Sequence, residues 1–190
     1  MGGDPDREAP FFFSKPGAAV TQDDVVPFPP RTDNFHHEME LVIAIGKGGK
    51  NIAVGDALDH VFGYAAGVDL TRRDLQAWAK KHGRPWSMSK GFDQSAPMSA
   101  IKPSFDIGHP DRGRIWLSVN GETRQDGDLG QQIWRVEEIV SNLSEFVELS
   151  SGDLIMTGTP AGVGPMNGGD EVAGEIEGIG ALKFTLGPRP

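Results

Sequence analysis

Two glutamates spaced two apart, Glu38 and Glu40, lead into the apolar run Leu41-Val42-Ile43-Ala44-Ile45-Gly46. Alternate residues of a strand share a face, so both carboxylates converge on one spot beside the core. Like charges held that close repel, and burying them is costly unless something positive lies between them. A divalent cation is the least costly such partner. A third carboxylate, Asp69, ends a second apolar run, Val61 to Val68. Three oxygen donors in a chain with no cysteine suit a hard cation, Mg²⁺ or Mn²⁺, with Ca²⁺ also admissible. The plainer reading is a solvated strand end. The five apolar residues from Leu41 to Ile45 favour burial on both faces instead.

Other residues bear chemistry less specifically. Lys90 is either a buried cation for a substrate carboxylate or oxyanion, or a surface lysine. Thr157-Gly158-Thr159 either offers hydroxyls and N–H groups to an anion or is a tight turn. Arg73, near Gln76 at the start of a helix, either binds substrate or pairs with Asp69 or Asp74. His36 and His37 flank the carboxylates. A supporting role suits them better than proton abstraction, although His37 is the candidate base if this stretch supplies one. His60 and His82 read as structural.

The elements that must position these groups form a β-rich pattern. The 190 residues bound one domain, and 26 glycines with 14 prolines fit many turns. A net charge of -9 argues against nucleic-acid binding. No apolar run nears the ~18 residues of a membrane span, and Met1 to Pro10 has no apolar signal core. The expected setting is therefore cytoplasmic, with Met1 to Pro10 loose or cut from something upstream. Phe11-Phe12-Phe13-Ser14-Lys15 reads as a short strand. Thr71 and Asp74 make a capping-box-like pair for a helix from about Arg72 to His82, with Leu75, Trp78, Ala79 and His82 on one face. Asn120-Gly121 signals a type I′ hairpin after Ile115 to Val119. A second helix is expected from about Val136 to Val147, with Ile139, Val140, Leu143, Phe146 and Val147 inward. Gly46-Lys47-Gly48-Gly49-Lys50 is a turn and not a P-loop, because no Ser or Thr follows the lysine.

Taken together these stretches resemble the fumarylacetoacetate hydrolase family, closest to its small acylpyruvate-cleaving members. The matching segments are Phe12-Phe13-Ser14-Lys15-Pro16, His37-Glu38-Met39-Glu40-Leu41, the run Gly63 to Gln76, Gly83-Arg84-Pro85-Trp86 leading to Lys90, Ser95-Ala96-Pro97, Val119-Asn120-Gly121-Glu122, and the run Gly152 to Gly164. Their order and spacing hold across nearly the whole chain. The resemblance implies an α+β, β-rich fold: a mixed β-sheet roll with a few short helices. It divides the chain into an N-terminal extension and lead-in strand over residues 1–34 and a metal-binding catalytic domain over residues 35–187. It implies Mg²⁺ or Mn²⁺ on Glu38, Glu40 and Asp69, substrate contacts from Arg73, Gln76, Lys90 and Thr159, and a homodimer.

The implied activity is cleavage of a C–C bond in a 2,4-dioxo acid such as fumarylpyruvate, with Lys90 stabilising the pyruvate enolate. One departure matters. Family members carry an upstream H-x-x-E whose His and Glu activate water, and no such motif occurs near Met1. The expectation is a start just after that segment, or a chain without the usual base. Oxaloacetate decarboxylation, keto–enol isomerisation and plain keto-acid binding then become rivals, since none needs an activated water. The residues near Trp86 are expected to shape the acyl pocket.

Overall fold

The computed structural model describes residues 8–190, so the expected loose start at Met1 to Pro10 falls largely outside them. The strands are β1 (Val20–Thr21), β2 (Val25–Val26), β3 (Phe35–His37), β4 (Met39–Ile45), β5 (Val61–Val68), β6 (Thr71–Arg72), β7 (Ala96–Pro97), β8 (Lys102–Pro103), β9 (Arg114–Val119), β10 (Glu122–Asp128), β11 (Leu154–Met156), β12 (Gly164–Met166), β13 (Glu171–Ile176) and β14 (Gly180–Leu186). The helices are α1 (Arg73–Lys81), α2 (Ser87–Lys90), α3 (Ser104–Ile107) and α4 (Val136–Phe146).

Strands β4 and β5 pair antiparallel at the centre of a sheet ordered β11-β4-β5-β8. A second sheet runs β10-β9-β13-β14-β2, and its β14–β2 pair is parallel. A smaller one, β12-β3-β6, carries the approach to Glu38. The apolar run after Glu40 is buried at every position because both of its faces are covered. Met39, Leu41, Ile43 and Ile45 join Tyr64, Ala66 and Val68 in one core with Leu117, Val172, Ile176 and Phe184 of the second sheet. On the opposite face Val42 and Ala65 pack with Met98 in a smaller cluster. Glu40 shares that second face by strand alternation and stands at its end. The hairpin after β9 is as expected: Asn120 and Gly121 both take positive φ, 51° and 77°. Residues 8–34 are woven in, with β1 parallel to β7 and β2 parallel to β14.

Several local expectations are corrected. Phe11 to Lys15 form no strand, and Phe11, Phe12 and Phe13 are exposed. The rings of Phe11 and Phe13 lie against Trp86 instead, with centroids 5.4 and 5.8 Å apart, while Lys15 turns inward. Helix α1 does not bury Trp78 or His82; it buries Gln76 and Ala79, and the Trp78 ring stacks on His82. The reason is electrostatic: the helix presents Arg73 to the buried Glu38 carboxylate, with Gln76 accepting from the same guanidinium, which turns its aromatic side to solvent. No capping box forms at its start. Asp74 accepts hydrogen bonds from Thr32 Oγ1 (2.7 Å) and the Asp33 N–H (2.8 Å), tying down the lead-in, and Thr71 donates to the Asp69 carbonyl. In α4, Phe146 and Val147 are exposed; Ser141 and Ser144 take the inward positions. Ser144 Oγ accepts the Ile52 N–H at 2.8 Å, and Ser141 donates to the Ile52 carbonyl, so these two serines satisfy a buried backbone while Val136, Ile139 and Val140 pack into the core.

Candidate functional site

Register builds the site. Glu40 lies opposite Gly67 on the β4–β5 pair, Asp69 follows the end of β5, and the Asp69 N–H donates to the Glu38 carbonyl at 2.8 Å. A Cβ on Gly67 would lie 2.6 Å from Val42 Cγ2, so only glycine lets the strands close beside the carboxylates. Glu38, Glu40 and Asp69 thus converge, each buried and each offering an oxygen within 4.8 Å of the others. The expected carboxylate cluster is formed by these three residues.

Three cations surround it. Lys90 is buried at the end of α2, which is short and ends at Gly91; its Nζ donates to Glu38 Oε2 at 2.7 Å and to Asp69 Oδ2. Arg73, at the first turn of α1, donates to Glu38 Oε1 and to Gln76 Oε1. It therefore pairs with Glu38, not with Asp69 or Asp74. Lys15 Nζ donates to Asp69 Oδ1 at 2.7 Å and to the Lys90 carbonyl. Burial lowers the Lys15 ammonium from its ordinary value, and Asp69 offsets part of that. Lys15 is a site residue that sequence reasoning missed; its only signal was a lysine set before Pro16 in a segment that already matched the family pattern.

The loop after β11 closes the other side. The Gly158 N–H donates to Glu40 Oε2 at 2.7 Å. Thr157 Oγ1 donates to the Leu41 carbonyl and receives Gln132 Nε2 at 2.8 Å, while Thr159 Oγ1 receives Gln125 Nε2 at 2.8 Å. The loop is fixed at Gly162, whose φ of 97° and whose would-be Cβ, 2.1 Å from the Arg124 carbonyl oxygen, both demand glycine. Gly162→Ala is expected to cost about 2–3 kcal/mol of stability. Chemical denaturation reads this, and a loss under about 0.5 kcal/mol would show that the loop does not rest on β10.

Among the described residues no histidine is hydrogen-bonded to the three carboxylates, although His36 Nδ1 lies 3.4 Å from Arg73 Nε. His36 Nε2 is 2.8 Å from Asn34 Oδ1, and burial with the adjacent Arg73 charge pushes its pKa down to about 4. His37 is fully buried with Nδ1 2.9 Å from Gln125 Oε1, and burial lowers its pKa too. His60 Nδ1 meets the Lys47 carbonyl at 2.7 Å, and His82 lies on α1's exposed side, both away from the cluster.

The donor set fits a hard divalent cation: three buried carboxylates converge, and among the described residues no His or Cys joins the cluster. Burial, then the Asp69 and Glu38 charges, push the Glu40 carboxyl up to about 8. At pH 7 it therefore holds a proton that a bound cation must displace. Binding is expected to release about one proton there, with affinity rising as pH approaches 8 and levelling above it. Calorimetric titration with Mn²⁺ in buffers of different ionisation enthalpy measures this; binding without proton release would contradict it.

The family model described as "Fumarylacetoacetate (FAA) hydrolase C-terminal" matches residues 3–186. A fumarylpyruvate hydrolase from Ralstonia sp is 44% identical over 182 residues, which cover 95% of this chain and 94% of that protein. A mitochondrial oxaloacetate tautomerase from Homo sapiens is 40% identical over 178 residues, 93% of this chain and 80% of that one. The crystal structure of fumarylpyruvate hydrolase from Pseudomonas aeruginosa in complex with Mn²⁺ and pyruvate superposes with a TM-score of 0.94 at 48% identity, covering 100% of this chain and 83% of that one.

Proposed function

Because the chain belongs to the fumarylacetoacetate hydrolase family, we propose that it is a divalent-metal-dependent hydrolase cleaving the C–C bond of an acylpyruvate. The substrate is a 2,4-dioxo acid of the fumarylpyruvate type, and the products are pyruvate and a carboxylic acid. The observation that carries this reading is the buried Glu38/Glu40/Asp69 cluster ringed by Lys15, Arg73 and Lys90. Once a divalent cation has displaced the Glu40 proton, three cationic side chains face three carboxylates and the ion adds an excess of positive charge that favours an anionic ligand. Similarity to the P. aeruginosa enzyme, which was solved with Mn²⁺ and pyruvate, supports the ligand class.

Glu38, Glu40 and Asp69 would hold Mg²⁺ or Mn²⁺, which supplies Lewis-acid polarisation of the 2-oxo group. The chain's own groups do the rest. Arg73, whose guanidinium presents donors in a fixed fork, and Gln76 beside it orient the oxo acid, and the Thr159 hydroxyl binds its carboxylate. Water adds to the distal carbonyl carbon. The resulting hydrate gives up one hydroxyl proton as the bond between that carbon and the methylene breaks; that carbon leaves as the carboxylic acid, and the bond's electron pair forms the pyruvate enolate, which takes up a proton at the methylene carbon. Lys90, held by Glu38 and Asp69, donates a hydrogen bond to the oxyanion that develops. His37 is enclosed on Gln125, and we assign it to holding β3 and β4 rather than to taking the water's proton.

A second reading keeps the site and changes the reaction to oxaloacetate tautomerisation or decarboxylation, which needs enolate stabilisation without an attacking water. Similarity to the human oxaloacetate tautomerase favours it, as does the placement of both neighbouring imidazoles on other partners. NMR analysis of products separates the two. Pyruvate and fumarate from fumarylpyruvate support the hydrolase; ketonised or decarboxylated oxaloacetate with fumarylpyruvate intact supports the alternative. The reading includes a cytoplasmic homodimer, for which light scattering and cell fractionation are the tests.

A further inference from the structure

Gln125 lies outside the carboxylate cluster, and no step above uses it. Its strand would ordinarily turn it outward with its neighbours, which are exposed or half-buried. A β-bulge prevents this: Thr123 pairs with Ser118 and Gln125 with Leu117, leaving Arg124 unmatched across β9. The bulge turns the Gln125 amide fully into the interior, and the loop of Thr159 rests on the same bulge through Gly162.

Four contacts orient this amide without ambiguity. Oε1 lies 3.0 Å from the Met39 N–H, which can only donate. Nε2 lies 3.0 Å from the Pro160 carbonyl, which can only accept. His37 Nδ1, 2.9 Å from Oε1, must therefore carry its ring hydrogen. Thr159 Oγ1, 2.8 Å from Nε2, must accept. The Thr159 hydrogen is then left to point at another acceptor. A proton on Nδ1 makes His37 Nε2 a bare acceptor, and that nitrogen is buried without a partner among the described residues.

We propose that Gln125 is a positioning residue that fixes Thr159 as a hydrogen-bond donor to the ligand carboxylate and His37 as its Nδ1–H tautomer. The inference rests on the keto-acid reading above. Gln125→Glu tests it while keeping the shape. The Met39 and His37 N–H groups donate to the new carboxyl and favour its ionised form against burial; in that form it only accepts and also gives up the bond to the Pro160 carbonyl. The Thr159 hydrogen then turns inward and is lost to the ligand.

Pyruvate affinity of the Mn²⁺-loaded protein, read by calorimetry, is expected to fall roughly 10–100-fold in Gln125→Glu, with Mn²⁺ affinity unchanged. Thr159→Ala should fall as far, Thr159→Ser should keep wild-type affinity, and the Gln125→Glu/Thr159→Ala double variant should lose nothing more. Independently, ¹⁵N NMR of the wild-type protein should show His37 protonated at Nδ1. Wild-type pyruvate affinity in Gln125→Glu, additive losses in the double variant, or a His37 proton on Nε2 would each overturn the proposal. A wild-type protein that binds Mn²⁺ but no pyruvate would overturn the keto-acid reading itself, and the role of Thr159 with it.

Discussion

Lys90→Ala is expected to lower kcat by roughly 10²–10³-fold while leaving Mn²⁺ binding intact or tighter. Lys90 is 2% exposed and stands between Glu38 and Asp69, so it serves two ends at once. In the metal-free protein it holds two buried carboxylates together. Its removal leaves them facing each other and is expected to cost about 3 kcal/mol, even with Lys15 and Arg73 still in place. A divalent cation repels the ammonium, so its absence does not weaken metal binding. Thermal unfolding with and without Mn²⁺ therefore has a defined pattern: the variant melts lower than wild type without metal and recovers more when metal is added. Turnover does not recover, because the donor to the developing oxyanion is gone. Near wild-type kcat with Mn²⁺ would remove Lys90 from the chemistry and leave it a structural counter-ion.

The second large effect is at Glu40. Glu40→Gln keeps the volume and the contact with the Gly158 N–H but removes one anionic oxygen from the cluster. Replacing groups that merely support metal ligands lowers affinity about 10–100-fold, so loss of a ligand itself is expected to exceed that and abolish binding at micromolar Mn²⁺. The metal-free variant is not expected to be less stable, since Glu40 is buried and its ionised form is disfavoured there. Electron paramagnetic resonance of added Mn²⁺ reads free against bound ion directly. Binding that survives the substitution would sink the ligand assignment.

Much of this was legible in the residues because strand alternation is a strict period. Glu38 and Glu40 could be placed on one spot by alternation alone, and Asp69 marked the end of a second apolar run; that it joins them was implied by the family resemblance and follows in the structure from the β4–β5 register. What failed were helix faces and caps, where long-range electrostatics overrode local pattern. Trp78 looked like a core residue by spacing, but α1 is rotated to bring Arg73 to Glu38. Asp74 looked like a cap, but the lead-in at Thr32 and Asp33 claims it. Gln125 carried no signal and Lys15 only its place in a matching segment, for a related reason. Each acts across a large sequence separation, on Asp69 and on His37, and one of them depends on a bulge that no local motif marks.

The central claim is that these 190 residues use a divalent cation on the carboxylate cluster to break an acylpyruvate. The most direct test strips the purified chain with a chelator, returns Mn²⁺ in steps, and follows the ultraviolet absorbance of fumarylpyruvate. No loss of absorbance is expected without metal, and the rate is expected to rise until the site is saturated. Loss that persists under the chelator, or bound Mn²⁺ with the substrate untouched, would contradict it.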